Sequence, residues 1–331
     1  MFIKDKVYIS LKDRVNRNPM SKTAIIGSGL MGSGIAVAYS LAGYRVSLVD
    51  VNEEILKKSV MNIKNILQEL FRIGVLKDEN SDELITRIST TISLQHAVKG
   101  AEIVTEAVSE SLELKIDLFG RLDTLCEKDV ILASNTSSFR ISDIAQKVRN
   151  KERVVGTHWW NPPYLMPLVE IIRTDFNQQD VIKKVVELFT RVLKKEVIMC
   201  KDSPGGVGVR LQAALFAEAM RICDENIVSP SDIDKAIKLT LGLRYALLGP
   251  FQIADLGGLD VFLHAHDYLA KMLGERFTPS KTLLELVEKG YLGAKSGKGF
   301  YSYSADFLSK IVKRRNEAIL EILKIQQQGK D

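Results

Sequence analysis

Cysteine is scarce in this chain. Cys126, Cys200 and Cys223 stand far apart, with no Cys-x-x-Cys or His-paired spacing. That argues against a disulfide framework or a zinc site, so the three read as buried thiols in a reducing compartment. Long apolar runs are missing as well. None reaches the roughly 18 residues that a bilayer-spanning helix requires, so no membrane partner is expected. Residues 1–19 are mixed and basic without the apolar centre of a secretory signal, and Met20 stands directly before the first apolar run. Residues 1–20 are read as an N-terminal extension and the location as cytoplasmic. Blocks of five or more like charges are absent, and the net charge is a modest +5. This balance describes solvated surface rather than a nucleic-acid footprint, with at most a mild bias toward anionic substrates. What remains is ordinary: 331 residues, 46% apolar and 26% charged, sufficient for about two globular domains.

The most informative segment is Gly27-Ser28-Gly29-Leu30-Met31-Gly32, which follows an apolar run and opens a helical pattern. Asp50 closes the next apolar run, 18 residues after Gly32. Strand, glycine turn, helix, strand and acid in this order form a dinucleotide-binding unit. Gly27 permits the tight turn, Gly29 lets backbone approach a pyrophosphate, and Gly32 lets helix and strand pack closely. Asp50 is placed to accept from both ribose hydroxyls. Its charge repels a 2′-phosphate, and Val51 and Asn52 supply no arginine to receive one, so NAD is the expected cofactor.

Strand and helix patterns alternate from residue 23 to about 200. Strands are read at 23–26, 46–49, 103–106, 130–133 and 154–156, with helices at 53–72 and 112–126. Leu114, Leu118, Leu122 and Leu125 form the apolar stripe of the latter. Such alternation predicts an α/β fold: a Rossmann-type, doubly wound parallel sheet with helices on both faces. Residues 53–87 exceed one crossover and suggest a projecting helical hairpin. At Asp202-Ser203-Pro204-Gly205-Gly206 the pattern breaks, and the rest is helical in period, with Ser229 and Pro230 as a helix start. The division expected is therefore an extension over 1–20, an NAD-binding domain over 21–202, and a smaller all-α substrate and dimerisation domain over 203–331. Gly205-Gly206-Val207-Gly208 lacks the Lys-Ser/Thr of a phosphate loop and reads as a hinge or helix start.

Only four histidines are present. His96, His264 and His266 lie in helical contexts and read as packed or solvated. His158 follows a strand and precedes Trp159-Trp160-Asn161-Pro162-Pro163, which puts it at the carboxyl edge of the sheet, where ligands bind. Glu170, twelve residues on, stands inside the apolar run Leu168-Val169-Glu170-Ile171-Ile172. A carboxylate there needs a partner, and His158 is the economical one. The pair makes a general base: the acid fixes the imidazole tautomer and stabilises its protonated form while an alcohol loses its proton. Asn135-Thr136-Ser137-Ser138 lands on the same edge, where a hydroxyl either bonds the reacting oxygen or caps a helix over 140–148. Trp159 and Trp160 read as walls.

At these residues the chain resembles the 3-hydroxyacyl-CoA dehydrogenase family. The resemblance rests on the Gly27–Gly32 turn with Asp50, on 106–110 with Lys115, on 134–138, on 158–162 with Glu170, and on 292–301. It implies NAD contacts through Asp50, Glu110, Lys115, Asn161 and Lys295, and a His158–Glu170 catalytic pair. It further implies that Ser137 assists at the substrate oxygen, that the chain forms a homodimer, and a role in fatty-acid metabolism. Two positions depart from the family pattern. Val209 stands where an asparagine is usual, with Gln212 three residues on along the same helix side. Ile66 and Ile73 stand where CoA-using relatives place a serine and a lysine, with Arg72 adjacent. Other segments, Asn161-Pro162-Pro163-Tyr164, 227–232 and 242–246, resemble the L-gulonate 3-dehydrogenase (lambda-crystallin) and carnitine dehydrogenase branch. There Arg244 is a candidate for pairing with a substrate carboxylate, or for a salt bridge at a subunit contact. Three functions follow: oxidation of a 3-hydroxyacyl-CoA by NAD, oxidation of a free 3-hydroxy acid such as L-gulonate or carnitine, or an impaired NAD-binding protein.

Overall fold

A computed structural model describes residues 21–76 and 81–328, so the expected extension over 1–20 lies outside the described residues. Eight strands form one sheet in the order β3-β2-β1-β4-β5-β6-β7-β8. They are β1 (Lys22–Ile26), β2 (Arg45–Val49), β3 (Ile88–Thr91), β4 (Ile103–Glu106), β5 (Ile131–Ser134), β6 (Val154–Trp159), β7 (Leu168–Arg173) and β8 (Glu196–Lys201). All neighbours are parallel except β6 and β7. The strand order reverses between β1 and β4, the switch point at which a doubly wound sheet opens a crevice.

The central strands are short runs buried on both sides, as a sheet covered on two faces demands. One core packs the helices Leu30–Leu41, Glu53–Arg72 and Gln179–Glu187 against Ile25, Ile103 and Val155. The other packs Leu94–Val98, Leu112–Leu125 and Ile141–Ile144 against Ala24, Val104 and Leu132. The doubly wound expectation holds, with one antiparallel partner added. Beyond the sheet every regular element of the described residues is helical, among them Pro230–Leu239, Leu259–Leu273 and Ala305–Gln328. Ser229 caps the first of these through Asp232 N–H. The chain divides into two compact units, one ending at Leu215 and one beginning at Phe216, within the helix Val207–Asp224.

Some local expectations need correction. Strands β3 and β8 are the sheet's two edges: β3 carries Ser-Thr-Thr and its apolar signal fades, while β8 keeps the run Val197-Ile198-Met199-Cys200 between exposed Glu196 and Lys201. In the helix Leu112–Leu125 only Leu118 and Leu122 of the leucine stripe are buried. Leu114 and Leu125 are exposed, and Lys115 and Phe119 turn inward instead. Cys126 and Cys200 are buried thiols, but Cys223 is only half-buried. Of the proposed hairpin, Glu53–Arg72 and a short helix Ser81–Thr86 are seen, with residues 77–80 outside the described set.

Candidate active site

The glycine turn sits where β1 ends at the switch point. Gly27 has φ +94°, a conformation that L side chains resist, and a Cβ there would stand 2.5 Å from Ala107 O. At Gly32 it would stand 1.8 Å from Gly27 O, so strand and helix touch through this glycine. Gly29 differs: nothing lies within 4 Å of its missing Cβ. That open space fronts the N-terminus of the helix Leu30–Leu41, whose unpaired N–H groups suit a pyrophosphate. The residues therefore fit NAD. Asp50 takes the Ser28 N–H and hydroxyl on Oδ2, each at 2.7 Å, and the Val51 N–H on Oδ1 at 2.7 Å.

The antiparallel pairing of β6 and β7 sets His158 directly opposite Glu170. His158 lies within β6 rather than past its end. Its Nδ1 is 3.8 Å from Glu170 Oε1, close enough for charge to act but longer than a hydrogen bond. Glu170 is fully buried, and its direct partners are the N–H groups of Val207 and Gly208, each at 3.0 Å, at the start of the helix Val207–Asp224. A helix N-terminus favours a negative charge in that position. The glycines make the approach possible: a Cβ on Gly206 would lie 2.0 Å from Glu170 Oε2, and one on Gly208 2.2 Å from the Trp160 ring. The 205–208 segment is thus a helix start that grips Glu170. Spacing alone pointed only to His158 as the partner. Burial pushes the His158 imidazole below its ordinary value, outweighing the opposing pull of Glu170. It is therefore neutral at pH 7, as a base must be. Trp160 meets it edge-on at 5.0 Å.

A second carboxylate cluster lies at the ends of β4 and β5. Glu106, fully buried, accepts from Lys115 Nζ at 2.6 Å, the Ser134 hydroxyl at 2.6 Å and Val108 N–H at 2.8 Å. Lys115, 1% exposed, also reaches Glu110 at 3.1 Å. Glu110 gathers the Thr136 hydroxyl at 2.7 Å, the N–H groups of Ser137 and Ser138, and the Ser137 hydroxyl at 3.3 Å. Partial burial alone would raise the Glu110 carboxyl, yet Thr136, Lys115 and Ser138 together hold it below the usual carboxylate range. No serine caps the next helix: Asp202 binds the N–H groups of Ile141 and Ser142 instead. Glu106 and Ser134 fall in segments that carry the family resemblance, but their pairing is not visible in the spacing; an acid ending the apolar run 103–106 carries the same signal as Glu170.

A cavity of about 420 Å³ unites much of this machinery, with His158, Ser137, Glu110, Lys115, Asn161 and Met31 among its lining. Val209 and Gln212 line it too, so the amide absent at 209 has a neighbour at 212. The fingerprint residues Gly27, Ser28, Gly29, Leu30 and Gly32, with Asp50, lie outside that lining, along the ends of β1 and β2. Lys295 and Arg244 belong to the second unit. Lys295 pairs with Asp260 at 2.6 Å, while Arg244 is exposed and makes no ion pair with a described residue. The segment 292–301 is organised by buried Asp255, which accepts from the Phe300 and Tyr301 N–H groups and the Tyr303 hydroxyl. A larger cleft of about 690 Å³, lined by Tyr44, Glu102 and Lys99, lacks an imidazole–carboxylate pair. Among the described residues no three His, Cys, Asp or Glu side chains are grouped to hold a metal ion.

Residues 22–203 match the family model described as "3-hydroxyacyl-CoA dehydrogenase, NAD binding domain", and 205–303 match "3-hydroxyacyl-CoA dehydrogenase, C-terminal domain". The chain belongs to the 3-hydroxyacyl-CoA dehydrogenase family. It carries that family's NAD-binding domain, and NAD is its cofactor. The mitochondrial hydroxyacyl-coenzyme A dehydrogenase of Rattus norvegicus is 37% identical over 286 residues, covering 84% of this chain and 90% of the relative. The Homo sapiens protein of the same name is 36% identical over the same length and coverage. The crystal structure of a 3-hydroxyacyl-CoA dehydrogenase from Archaeoglobus fulgidus superposes with a TM-score of 0.76 at 36% identity, covering 93% of this chain and 99% of that one.

Proposed function

We propose that the chain interconverts a 3-hydroxyacyl-CoA and a 3-oxoacyl-CoA, with His158 as the general base. NAD, when bound, supplies the acceptor for the hydride that leaves the hydroxyl-bearing carbon. His158 takes the hydroxyl proton as that hydride departs. With Nδ1 turned to Glu170, Nε2 is the nitrogen left for the substrate. The imidazolium so formed is stabilised by a carboxylate that the Val207 and Gly208 amides hold in place. General-base catalysis of this kind contributes about 10²–10⁴ in rate. Among the neutral polar groups that line the cavity, Ser137 and Gln212 are assigned to the substrate oxygen. The Ser137 hydroxyl is already turned to Glu110, which makes it an orienting group as well.

The observation that carries this reading is His158 on the cavity wall with fully buried Glu170 opposite it across β6 and β7. The cavity wall also bears on the substrate. Its one cation among the described lining residues, Lys115, is matched by two carboxylates, so a free carboxylate substrate finds no counter-charge there. A thioester carbonyl needs none. Acetoacetyl-CoA and L-gulonate assayed side by side test this: reduction of the thioester with NADH, and no oxidation of gulonate by NAD, is expected. Gulonate turnover without thioester turnover contradicts it.

For cofactor contacts we propose the turn 27–32, Asp50, Glu110, Lys115, Asn161 and Lys295, with Ser137 toward substrate; Arg244 is a substrate contact only in the alternative reading, in which the substrate is a free hydroxy acid. The domain division 21–202 and 203–331 is proposed alongside, and the two family matches meet close to it. A homodimer is proposed on the apolar surface of the second unit. Phe216, Tyr268 and Met272 are each more than 60% exposed there, while few of its apolar side chains are buried. Light scattering at twice the chain mass supports this, and a monomer contradicts it. No helix of the described residues is long and apolar enough to cross a membrane. The free cysteines suit a reducing compartment, and a cytoplasmic location is proposed.

A further inference from the structure

Behind Asp50 lie two buried serines that the chemistry at His158 does not use. Ser28 and Ser59 are 2% and 4% exposed, so neither hydroxyl is available to a ligand. The Ser28 N–H and hydroxyl both point at Asp50 Oδ2, at 2.7 Å each. The Ser59 hydroxyl, on the helix Glu53–Arg72, stands 2.7 Å from Ser28 Oγ and equally near Ser28 O. Proton bookkeeping orders this knot. A serine hydroxyl has one proton, and that of Ser28 serves the carboxylate. The Ser28 carbonyl already receives the Ser33 hydroxyl at 2.8 Å. Ser59 Oγ also stands 2.9 Å from Ile55 O, a carbonyl one turn back in its own helix ladder. Of the three acceptors in its reach Ser28 Oγ is the one with no other donor among the described residues, and the Ser59 proton is assigned to it. Hydrogen bonds chained in this way onto a carboxylate polarise one another and strengthen its hold.

We propose that Ser59 and Ser28 form a relay that locks the Asp50 carboxylate with Oδ2 turned inward and Oδ1 presented to the adenosine ribose. The relay thereby sets both NAD affinity and the rejection of a 2′-phosphate. The proposal rests on Asp50 facing that ribose, as read above. Both serines are positioning residues, acting through Asp50. Without Ser59 the Ser28 hydroxyl is less firmly aimed at Oδ2. A carboxylate held more loosely by Ser28 and Val51 offers its acceptor less often and repels a 2′-phosphate less sharply, so loss of the relay costs affinity for NAD and narrows its preference over NADP.

The test compares Ser59→Ala, Ser59→Thr and Asp50→Ala with the unaltered protein. NADH binding is read by its fluorescence, and acetoacetyl-CoA reduction with NADH, NADPH and reduced nicotinamide mononucleotide, which has no adenosine ribose. Ser59→Ala is expected to weaken NADH binding about fivefold, in line with the loss of one net hydrogen bond. KM for NADH rises while kcat changes far less, the NADH-over-NADPH preference narrows, and the mononucleotide reaction is unaffected. Ser59→Thr, which keeps the hydroxyl, restores binding. Equal losses with NADH and the mononucleotide, or unchanged NADH binding, overturn the relay. If Asp50→Ala weakens NADH binding but Ser59→Ala does not, only the relay falls. If neither variant does, the placement of Asp50 falls with it. Failure of the unaltered protein to reduce acetoacetyl-CoA is a separate result, against the substrate reading, and leaves the fluorescence comparison to decide the relay.

Discussion

Two glutamates end up fully buried at the edge of one sheet, and they are satisfied in opposite ways. At the end of β4, Glu106 meets a lysine ammonium at 2.6 Å and a serine hydroxyl, so its charge is matched inside the protein. On β7, Glu170 has no lysine or arginine partner among the described residues, where its partners are two backbone N–H groups and an imidazole 3.8 Å away. A carboxylate matched by a full cation holds structure together. One held by amides alone keeps charge in reserve for a cation that appears only during turnover, here the imidazolium of His158. The difference separates a structural acid from a catalytic one without reference to volume or exposure.

The largest expected effect is at the catalytic edge. His158→Ala should lower kcat for acetoacetyl-CoA reduction by about 10⁴ while NADH still binds, read by steady-state kinetics and fluorescence titration. Next comes the structural edge: Lys115→Ala strands Glu106 and should cost about 3–5 kcal/mol of stability in denaturant unfolding. The paired change Glu106→Gln with Lys115→Met should recover most of that, which sharpens the contrast, because Glu170 has no lysine or arginine partner to remove among the described residues. Glu170→Gln should lower kcat about 10²-fold with a smaller stability loss, since the amide oxygen still accepts one N–H. Gly206→Ala, whose Cβ must displace the carboxylate or the helix start, should lower kcat about tenfold through misplacement.

The sheet, the glycine turn with Asp50, and the facing of His158 and Glu170 were all legible because each leaves a local mark. These marks are apolar runs buried on both faces, glycines where backbone must come close, and an acid where an acid is expensive. What escaped has a physical reason. Edge strand β3, Ile88-Ser89-Thr90-Thr91, is half-wet and lacks an apolar signature. The grip of Val207 and Gly208 on Glu170 uses backbone N–H groups, which every residue has, so no side-chain pattern announces it. Its trace is negative: Gly206 and Gly208 are glycines because a carboxylate and an indole fill the space their side chains would take. Likewise the 135–138 hydroxyls are divided in sequence between the reacting oxygen and a helix cap, because nothing in the spacing brings Glu110 to the Ser137 hydroxyl.

The pH dependence of kcat/KM for alcohol oxidation, compared between the unaltered protein and Glu170→Gln, tests the pairing most directly. Oxidation needs neutral imidazole, so activity falls as pH drops through the His158 pKa. Burial places that acid limb below the ordinary histidine value of about 6.5. Glu170 pulls the value upward, so its removal should carry the limb to still lower pH while the plateau falls. A limb that stays in place, or moves upward, in Glu170→Gln contradicts a base supported by that carboxylate.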